Sequence, residues 1–444
     1  MNKERAQLGE QASALCGQAT AGEQAEVRTT RLIRRKHRVG ADRVQSSGRL
    51  ADPVSTVLRL AARGKDVYVS SGPATPELLT AARAMLPFGR AYRDGVPLRP
   101  RAGELPGPGG ELADPDSPLR QFREQADTAA AVAAARLGVG LRVLDCTVTE
   151  TISAEAFAAG GEPARSFGCA TVEASLLIEA RRGLARLRLR ASRHAADLGD
   201  IPLAEMMTET GWRGAAMLVP APAAPADGPP GELLLTPSVS AAVLGVLAHD
   251  VIDRRPGPVP GLALPCSLAD DALAQGSRHS RPFDHEGTPT GESVLLGSDG
   301  AAGRLTCRGD VPGDPAAPAV LTGNALRGAL SSAPEVLPTN VRLAGARPYA
   351  LPDGFTGSLG FAIKGEGVQR FRSGDRIVFR VETVGVSGGA VAARTQVLIF
   401  AGTAHDILAS VAAVSPPLSY LPGRDYSTAG AWTLLSGPPV RPVT

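Results

Sequence analysis

The sequence predicts an α+β protein with an N-terminal mixed α/β domain and a C-terminal domain. We expect the second domain to contain a curled, barrel-like antiparallel sheet and a buried helix. Helix-like and strand-like stretches alternate up to residue 219, and short strands broken by Gly, Pro and Asp dominate after residue 231. The chain of 444 residues is long enough for two or three domains, each with a substantial core.

The N-terminal elements are predicted from apolar periodicity and from helix-start signals. A helix over 76–85 has Pro76 at its first helical position and Thr75 as its N-cap. The stretch 66–70 alternates at period two, as a half-buried strand does. The other predicted elements of this part are strands over 27–38, 141–149, 170–180 and 185–191, and helices over 117–137 and 202–210.

The C-terminal elements begin with a strand over 232–235 and a mostly apolar helix over 238–252, which we expect to be buried. A helix over 405–414 is predicted near the end of this part. The short strands between them are predicted at 293–296, 303–307, 340–343, 360–364, 376–384 and 394–400.

The segment 220–230 consists almost entirely of Pro and Ala and separates the two parts. Proline removes backbone donors and disfavours helix before it, so no regular element is expected there. We therefore predict an N-terminal domain over 1–219, a linker over 220–230 and a C-terminal domain over 231–444.

Composition argues against several classes of protein. A net charge of +3 is too small to indicate nucleic acid as the main partner, and the basic run 31–38 has no nearby aromatic residues for base stacking. The five cysteines are odd in number and widely spaced, which predicts no disulfide framework. Because the N-terminus is polar and apolar runs are short, we expect a cytoplasmic protein without a membrane partner.

Three short polar segments are the most specific signal. They read Phe-Asp-His-Glu-Gly-Thr-Pro-Thr at 283–290, Thr-Gly-Asn-Ala-Leu-Arg at 322–327 and Leu-Pro-Thr-Asn at 337–340. Their order and spacing resemble the C-terminal half of the TldD/PmbA family, whose members resemble zinc enzymes and act on peptides. The resemblance implies that the chain binds peptides.

Zinc-bearing members of that family carry a His-Glu-x-x-x-His helix, which holds the metal and supplies a general base. The Thr-Pro pair at 236–237 resembles the family's entry to this helix. The three key positions then fall at Val246, Leu247 and Val251, which cannot bind metal. No cysteine follows Cys307 to match the family's later cysteine ligand.

The chain is thus similar to the PmbA/TldE-like branch, which lacks the metal site and pairs with a zinc-bearing TldD-like subunit. This resemblance implies no catalytic residue, metal or cofactor in this chain, zinc in the partner, and a heterodimer or larger complex that processes unfolded or small peptides. A stand-alone peptide-binding or scaffold protein is the alternative. A metal-independent enzyme is least favoured, because the sequence offers no convincing nucleophile–base pair.

The polar segments supply the candidate residues of a peptide-binding cleft. There the threonine hydroxyls and an exposed strand edge would receive an extended peptide by β-strand addition. The competing interpretation is a turn whose carboxylates cap backbone N–H groups. The candidates are Asp284, Glu286, Gly287, Thr288, Thr290, Asn324, Arg327, Thr339 and Asn340.

Three other patterns have simpler explanations. His279 and His285 with Cys266 or Cys307 match no metal-site template. His249 lies on the apolar helix and is expected to be a hydrogen-bonded core or interface residue. The Gly-x-Ser-x-Gly letters at 385–389 precede a predicted strand, so a hairpin loop is expected there and not a nucleophile elbow.

Overall fold

The structure is a computed structural model that describes most residues of the chain. The predicted linker at 220–230 lies outside the described residues. The described residues are 2–40, 44–91, 116–160, 162–218, 231–254, 262–308, 320–327, 333–350, 355–361, 369–373, 376–388, 390–391, 396–416, 419–422 and 426–442.

The N-terminal part is an eight-stranded antiparallel sheet with four helices. The strand order is β5-β4-β3-β1-β6-β7-β8, and β2 pairs with β1 beside this path. The elements are α1 (Asn2–Cys16), β1 (Gln24–Val39), β2 (Val44–Ala51), β3 (Ser55–Ala62), β4 (Lys65–Ser71), α2 (Pro76–Met85), β5 (Arg90–Ala91), α3 (Asp116–Leu137), β6 (Gly140–Ala159), β7 (Arg165–Arg182), β8 (Ala185–Ala195) and α4 (Leu203–Leu218).

The two faces of strand β1 have different roles, since successive side chains point to opposite sides of a sheet. Val27 and Thr29 are buried toward the helices, and the Thr29 hydroxyl donates to the Leu8 carbonyl of α1 at 3.2 Å. Of the alternate residues, Glu26 pairs with Arg308 of the C-terminal part, and Arg28 is close enough to Arg281 to interact with it electrostatically. This second face positions the candidate site.

The C-terminal part contains a nine-stranded sheet, a five-stranded sheet and a two-stranded ribbon. Most pairs are antiparallel; β9 with β15 and β14 with β22 are parallel. The elements are β9 (Glu232–Leu235), α5 (Pro237–Arg254), β10 (Ser267–Asp271), β11 (Glu292–Leu296), β12 (Ala325–Leu326), β13 (Glu335–Val336), β14 (Asn340–Ala344), β15 (Gly357–Phe361), β16 (Gln369–Ser373), β17 (Arg376–Ser387), β18 (Ala390–Val391), β19 (Gln396–Gly402), α6 (Ala404–Ala409), β20 (Val411–Val414), β21 (Ser419–Pro422), β22 (Ser427–Gly430), β23 (Thr433–Ser436) and β24 (Val440–Pro442).

Helix α5 lies between the two larger C-terminal sheets. It contacts β11, β14 and β22 on one side and β15 and β17 on the other. Its apolar residues join the largest hydrophobic cluster of the described chain, together with Phe379 and Phe400, whose stacked rings are 4.4 Å apart. The fold is therefore α+β with a curled, half-barrel sheet and a buried helix, as the sequence predicted.

A separate hydrophobic cluster joins the two parts of the chain. Trp212 of α4 lies edge-to-face with Trp432 at 5.6 Å between ring centroids, and 6.4 Å from Phe355. Both tryptophans are almost completely buried. The N- and C-terminal parts thus share one of their cores.

Several helices and strands of the structure were not predicted from the sequence. Helix α1 was not predicted, because its sequence is polar apart from a narrow buried stripe of Leu8, Ala12 and Leu15. The strands that were also not predicted are β2, β3, β5, β10, β12, β13, β16, β18, β21, β22, β23 and β24. Among the described helices, none combines the length and the apolar character needed to cross a bilayer.

Two predictions in the C-terminal part were wrong. Residues 303–307 form no strand, since Thr306 is held by hydrogen bonds with Thr322 and the Val320 carbonyl and not by a backbone ladder. The predicted helix over 405–414 is the short α6 followed by β20, which pairs with β23. A capping box of Thr403 and Asp406 starts α6, but sheet pairing takes over after one and a half turns.

Candidate functional site

The segment 283–290 is a tight turn closed by the Asp284 carboxylate. One oxygen, Oδ1, accepts the backbone N–H groups of Glu286 at 2.9 Å and Thr288 at 2.8 Å. The other, Oδ2, accepts the N–H of Ala325 at 3.0 Å. Burial, followed by the charge of Glu286, raises the pKa of Asp284 to about 7. Asp284 therefore performs the role that the turn interpretation assigned to these carboxylates.

Gly287 allows this turn to dock closely on the N-terminal sheet. Its φ is +74°, a left-handed conformation that favours glycine, and a Cβ atom there would lie 2.3 Å from the Phe157 ring. Phe283 of the same turn packs edge-to-face on Phe167 at 5.2 Å and lies 6.2 Å from Phe157. The turn is held between the two parts of the chain.

The Glu286 carboxylate is fully buried at this junction. The Tyr68 hydroxyl donates to Oε1 at 3.1 Å, and the Arg308 backbone N–H donates to Oε2 at 2.8 Å. The Arg90 guanidinium is 3.9 Å from Oε1. Burial raises the pKa of Glu286, and the Arg308 interactions partly offset that effect.

We call the surrounding set of paired charges the Glu286 network. Arg59 contacts Glu26 at 3.1 Å and Asp66 at 2.8 Å, and Asp66 also accepts from another guanidinium at 2.8 Å. The network balances three carboxylates with three guanidiniums. Its members are Glu26, Asp66, Glu286, Arg59, Arg90 and Arg308.

The threonines of the turn are not presented to solvent, contrary to expectation. Thr288 and Thr290 are both completely buried. The Thr290 hydroxyl donates to the Arg281 carbonyl, and the Thr288 hydroxyl has no hydrogen-bond partner among the described residues. Because the turn packs against the N-terminal sheet, these hydroxyls are on the inside of the junction.

Asp270 organises the other two predicted segments and was not predicted. Its Oδ1 accepts the Thr339 N–H at 2.7 Å, the Thr339 hydroxyl at 2.9 Å and the Asn340 N–H at 2.6 Å. Its Oδ2 accepts the Asn324 amide N–H at 2.7 Å. A signal was available, since Asp270 stands directly after the apolar stretch 268–269, where a charge requires partners.

Asn340 extends this arrangement toward 277–280. Its Nδ2 donates to the Asp271 carbonyl at 2.7 Å and to the Ser280 hydroxyl at 3.0 Å, and its Oδ1 accepts from the Ser277 hydroxyl. The three polar segments that the sequence singled out therefore meet in space. Buried hydrogen bonds connect them, and their backbone geometry is set by carboxylates.

Arg327 lies in a different environment, which we call the Arg281 cluster: Arg28, Arg281, His285, Arg327 and Glu155. The Arg327 N–H donates to His285 Nδ1 at 2.7 Å, and Arg281 Nη1 lies against His285 Nε2. Glu155 accepts from Arg28 at 2.9 Å and is 3.9 Å from Arg281. Its three arginines and His285 are only partly buried.

The three positions of α5 that the resemblance assigned to the metal helix do not fit a zinc ion. Val246, Leu247 and Val251 are buried in the apolar cluster around the helix and offer no donor atom. Within the described ranges, His, Cys, Asp and Glu form no group of three with metal-binding proximity. His249 is exposed, which rules out a place in the core, whereas a place at an interface stays a prediction. Its ring lies edge-to-face with Tyr426 at 5.3 Å.

The Gly-x-Ser-x-Gly letters belong to a hairpin. Strand β17 ends at Ser387, which pairs with Ala390 of the next strand, and Gly389 lies outside the described residues. A nucleophile elbow requires a helix after the serine. The described residues of this segment therefore do not have the geometry of a nucleophile elbow.

The comparisons with known proteins agree with this architecture. TldE from Thermococcus kodakarensis is 15% identical with a TM-score of 0.65, and the match covers 99% of each chain. The chain has the fold of the TldD/PmbA family. Two proteins proposed as modulators of DNA gyrase are also similar. The one from Thermotoga maritima is 14% identical with a TM-score of 0.65, and the match covers 99% of this chain and 100% of that one. The one from Bacteroides thetaiotaomicron is 13% identical with a TM-score of 0.59, and the match covers 99% of each chain.

No protein-family model matches the chain, and no curated protein sequence matches it. At identities of 13 to 15%, the TldD/PmbA likeness is a likeness of fold. It extends over nearly the whole chain and so includes the N-terminal part, which lies outside the segments that carry the sequence resemblance.

Proposed function

We propose that this chain is the metal-free, TldE/PmbA-like subunit of a heteromeric metallopeptidase complex that binds and helps process unfolded or small peptides. Zinc belongs to a TldD-like partner subunit, and this chain contributes no catalytic residue. The observation that carries the proposal is the apolar environment of Val246, Leu247 and Val251 on α5. These are the positions at which the family resemblance expects ligands and a general base.

The burial of these three positions indicates that the helix is part of the hydrophobic core. Leu247 is 1% exposed and Val251 is 1% exposed, so both side chains contribute to stability through packing. A charged or metal-binding residue there would have to be desolvated among Leu, Val and Phe side chains. The helix therefore serves as a core element of a fold that this chain shares with TldE.

The predicted cleft residues divide into two groups under this proposal. Asp284, Glu286, Thr339 and Asn340 are buried and shape the backbone around the junction. Arg327 is partly exposed and is the member of the predicted set that remains able to contact a peptide directly.

We place the complex in the cytoplasm. All five cysteines are free, and four of them are buried. Burial raises the pKa of the Cys146 and Cys266 thiols to about 12, which keeps them protonated and unreactive at neutral pH. Free thiols without disulfides are typical of a reducing compartment.

Co-expression with a TldD-like protein of the same genome tests the proposal. Size-exclusion chromatography followed by metal analysis of each species should show a stable complex with about one zinc per pair. A partner variant without its metal-binding histidines should still form the complex but contain no zinc. The isolated chain should contain none.

Two results would contradict the proposal. Metal-dependent peptide cleavage by the isolated chain would show that it has an active site of its own. Failure of the two proteins to associate would favour the alternative of a stand-alone peptide-binding or scaffold protein.

A further inference from the structure

The edge of strand β4 is open beyond its first two residues. Strand β5 pairs with Lys65 and Asp66 only. The chain just before β5 forms the 3₁₀ turn Leu86–Phe88, so it turns away from β4 instead of continuing beside it. Within the described residues, the backbone of Val67–Ser71 is hydrogen-bonded to β3 and to no other strand or loop. Alternate N–H and C=O groups along this stretch are therefore directed outward without a backbone partner there.

This open stretch lacks the features that usually protect an edge strand. Val67–Ser71 contains no charged residue and no proline, and its last two residues are exposed. Strand β8, at the other end of the same sheet, instead has arginines at alternate exposed positions, Arg186, Arg188 and Arg190. Charged side chains on an edge discourage pairing with another chain. Among the described strands of this sheet, β8 thus has that protection and the open stretch of β4 does not.

Two apolar side chains are exposed beside the open stretch. Phe88 is 89% exposed and Met85 is 50% exposed. The segment that carries them lies against β4, since a Cβ atom at Gly89 would be 2.5 Å from the Asp66 carbonyl oxygen. Single exposed apolar residues are ordinary on a protein surface. Next to an unpaired strand edge, however, they can contact the apolar side chains of a bound strand.

Strand β4 also connects this edge to the docked turn at 283–290. The Tyr68 hydroxyl donates to Glu286 Oε1 at 3.1 Å. The Arg90 guanidinium lies over the Tyr68 ring, 5.0 Å from its centroid. A strand added to β4 would consequently lie beside the Glu286 network, where the two parts of the chain meet. Since the proposed function places peptide binding at these polar segments, a peptide is the occupant that this location favours.

We propose that the open edge of β4 binds an extended, uncharged peptide segment with at least one apolar residue, as an additional strand of the sheet. An extended polypeptide has alternate N–H and C=O groups along its edge, so it can pair with those of Val67–Ser71. Such a site needs no cavity, because the bound peptide becomes the next strand. This inference rests on the proposed peptide-binding function and names the place and the conformation in which the peptide is held.

Backbone-methylated peptides test this inference, with binding measured by fluorescence anisotropy. The probes are two isomers of a short, uncharged, fluorescein-labelled peptide of valine, threonine and phenylalanine. Each isomer is N-methylated at every second residue, and the two differ in which set of alternate residues is methylated. Because an added strand pairs through one edge only, we expect one isomer to bind about tenfold more weakly than the other.

Variants of exposed residues connect the binding to this edge. Phe88→Ala should weaken binding of the preferred isomer about fivefold, because apolar contact with the peptide is lost. Leu184→Ala is the matched control, since Leu184 is fully exposed in the turn between β7 and β8, and it should leave binding unchanged. A probe with a benzophenone side chain should cross-link to residues of β4 or of the turn Leu86–Phe88, as read by mass spectrometry.

The outcomes separate this inference from the proposed function. Equal affinity for the two isomers, cross-linking only to other strands, or no binding of either isomer by the chain and by its complex would overturn the site. A dimer of this chain that dissociates in the Phe88→Ala variant would assign the edge to a second copy and would also overturn it. Complex formation with the TldD-like partner is measured independently on that variant. An intact, zinc-containing complex without the isomer preference would refute the site and leave the proposed function standing.

Discussion

At the residue scale, two buried aspartates explain why the three polar segments of the sequence occur together. Asp284 closes the turn at 283–290, and Asp270 joins Asn324, Thr339 and Asn340. Each carboxylate accepts several N–H or O–H groups, which offsets the cost of its burial. The residues of the three polar segments therefore act mainly by fixing the backbone, and the docked turn depends on single residues.

Replacing Gly287 by alanine should destabilise the protein strongly. The new Cβ would be forced into a left-handed backbone conformation and would overlap the Phe157 ring. We expect a loss of about 2–5 kcal/mol in the free energy of unfolding, measured by chemical denaturation. Gly183→Ala is the control, because Gly183 has a φ of +59° but open space around it, so only the backbone cost of about 1–2 kcal/mol applies. Equal losses in the two variants would mean that the turn does not pack on Phe157.

The ionisation of Asp284 should make stability depend on pH. Its pKa is raised to about 7 in the folded state, whereas an unfolded aspartate titrates near pH ~4. Between these values the folded state binds more protons than the unfolded state. The contribution of Asp284 to the free energy of unfolding therefore falls as pH rises through this window, by at most about 1.4 kcal/mol per pH unit.

A comparison with Asp284→Asn isolates this effect. Burial lowers the pKa of His194 to about 4 and of His279 to about 3, and their contributions change with the opposite sign over the same window. Because both proteins contain these histidines, their effect cancels in the difference. The stability advantage of the wild type over the variant should shrink from about pH 4.5 to about pH 7. A constant difference would show that Asp284 has an ordinary pKa.

At the scale of elements, helix α5 is the one whose role differs most from what the family resemblance alone suggests. Its first residue is Pro237 of the Thr-Pro pair at 236–237, and its inward residues pack between two sheets. Tyr426 of the neighbouring loop donates its hydroxyl to the Gly245 carbonyl at 2.9 Å and further anchors the helix. Its inward face is therefore apolar and part of the core.

Placing a glutamate at Leu247 should therefore cost stability without creating a metal site. Leu247→Glu would bury an unpaired carboxylate in the apolar cluster, with an expected loss of about 3–5 kcal/mol in the free energy of unfolding. His249→Glu on the exposed side of the same helix should change stability by about 1 kcal/mol or less. Denaturant titrations compare the two. A tolerated Leu247→Glu would mean that this face of α5 is open to water.

At the scale of the whole molecule, the two parts are joined by a shared apolar core and by the charged junction around Glu286. Trp212 and Trp432 are the only two tryptophans of the chain, and they contact each other across the two parts. Their fluorescence therefore reports directly on the contact between the parts. Since both are buried, separating the parts would expose large aromatic surfaces to water.

Unfolding should accordingly be one cooperative event for both parts. Denaturation curves from tryptophan fluorescence and from far-UV circular dichroism should coincide, because the contact and the secondary structure are lost together. A fluorescence transition at lower denaturant concentration than the loss of secondary structure would show that the parts separate before they unfold. The predicted division into domains over 1–219 and 231–444 would then describe independent folding units.

Sequence alone determined the α+β class, the helices α2, α3 and α5, fewer than half of the strands that the structure describes, and the absence of a metal-binding atom at Val246, Leu247 and Val251. These follow from local rules, such as apolar periodicity, proline at a helix start, and the donor atoms that a side chain has or lacks. It also found the three polar segments through their resemblance to a known family.

Only the tertiary structure decided which contacts the three polar segments make. The burial of Thr288 and the contact of Gly287 with Phe157 both depend on residues about 130 positions apart in the chain. No local sequence pattern encodes such a contact. Asp270 and the Arg281 cluster were invisible for the same reason, because their partners come from different strands and loops. Burial and charge balance are properties of these assembled groups, and they exist only once the two parts of the chain have docked.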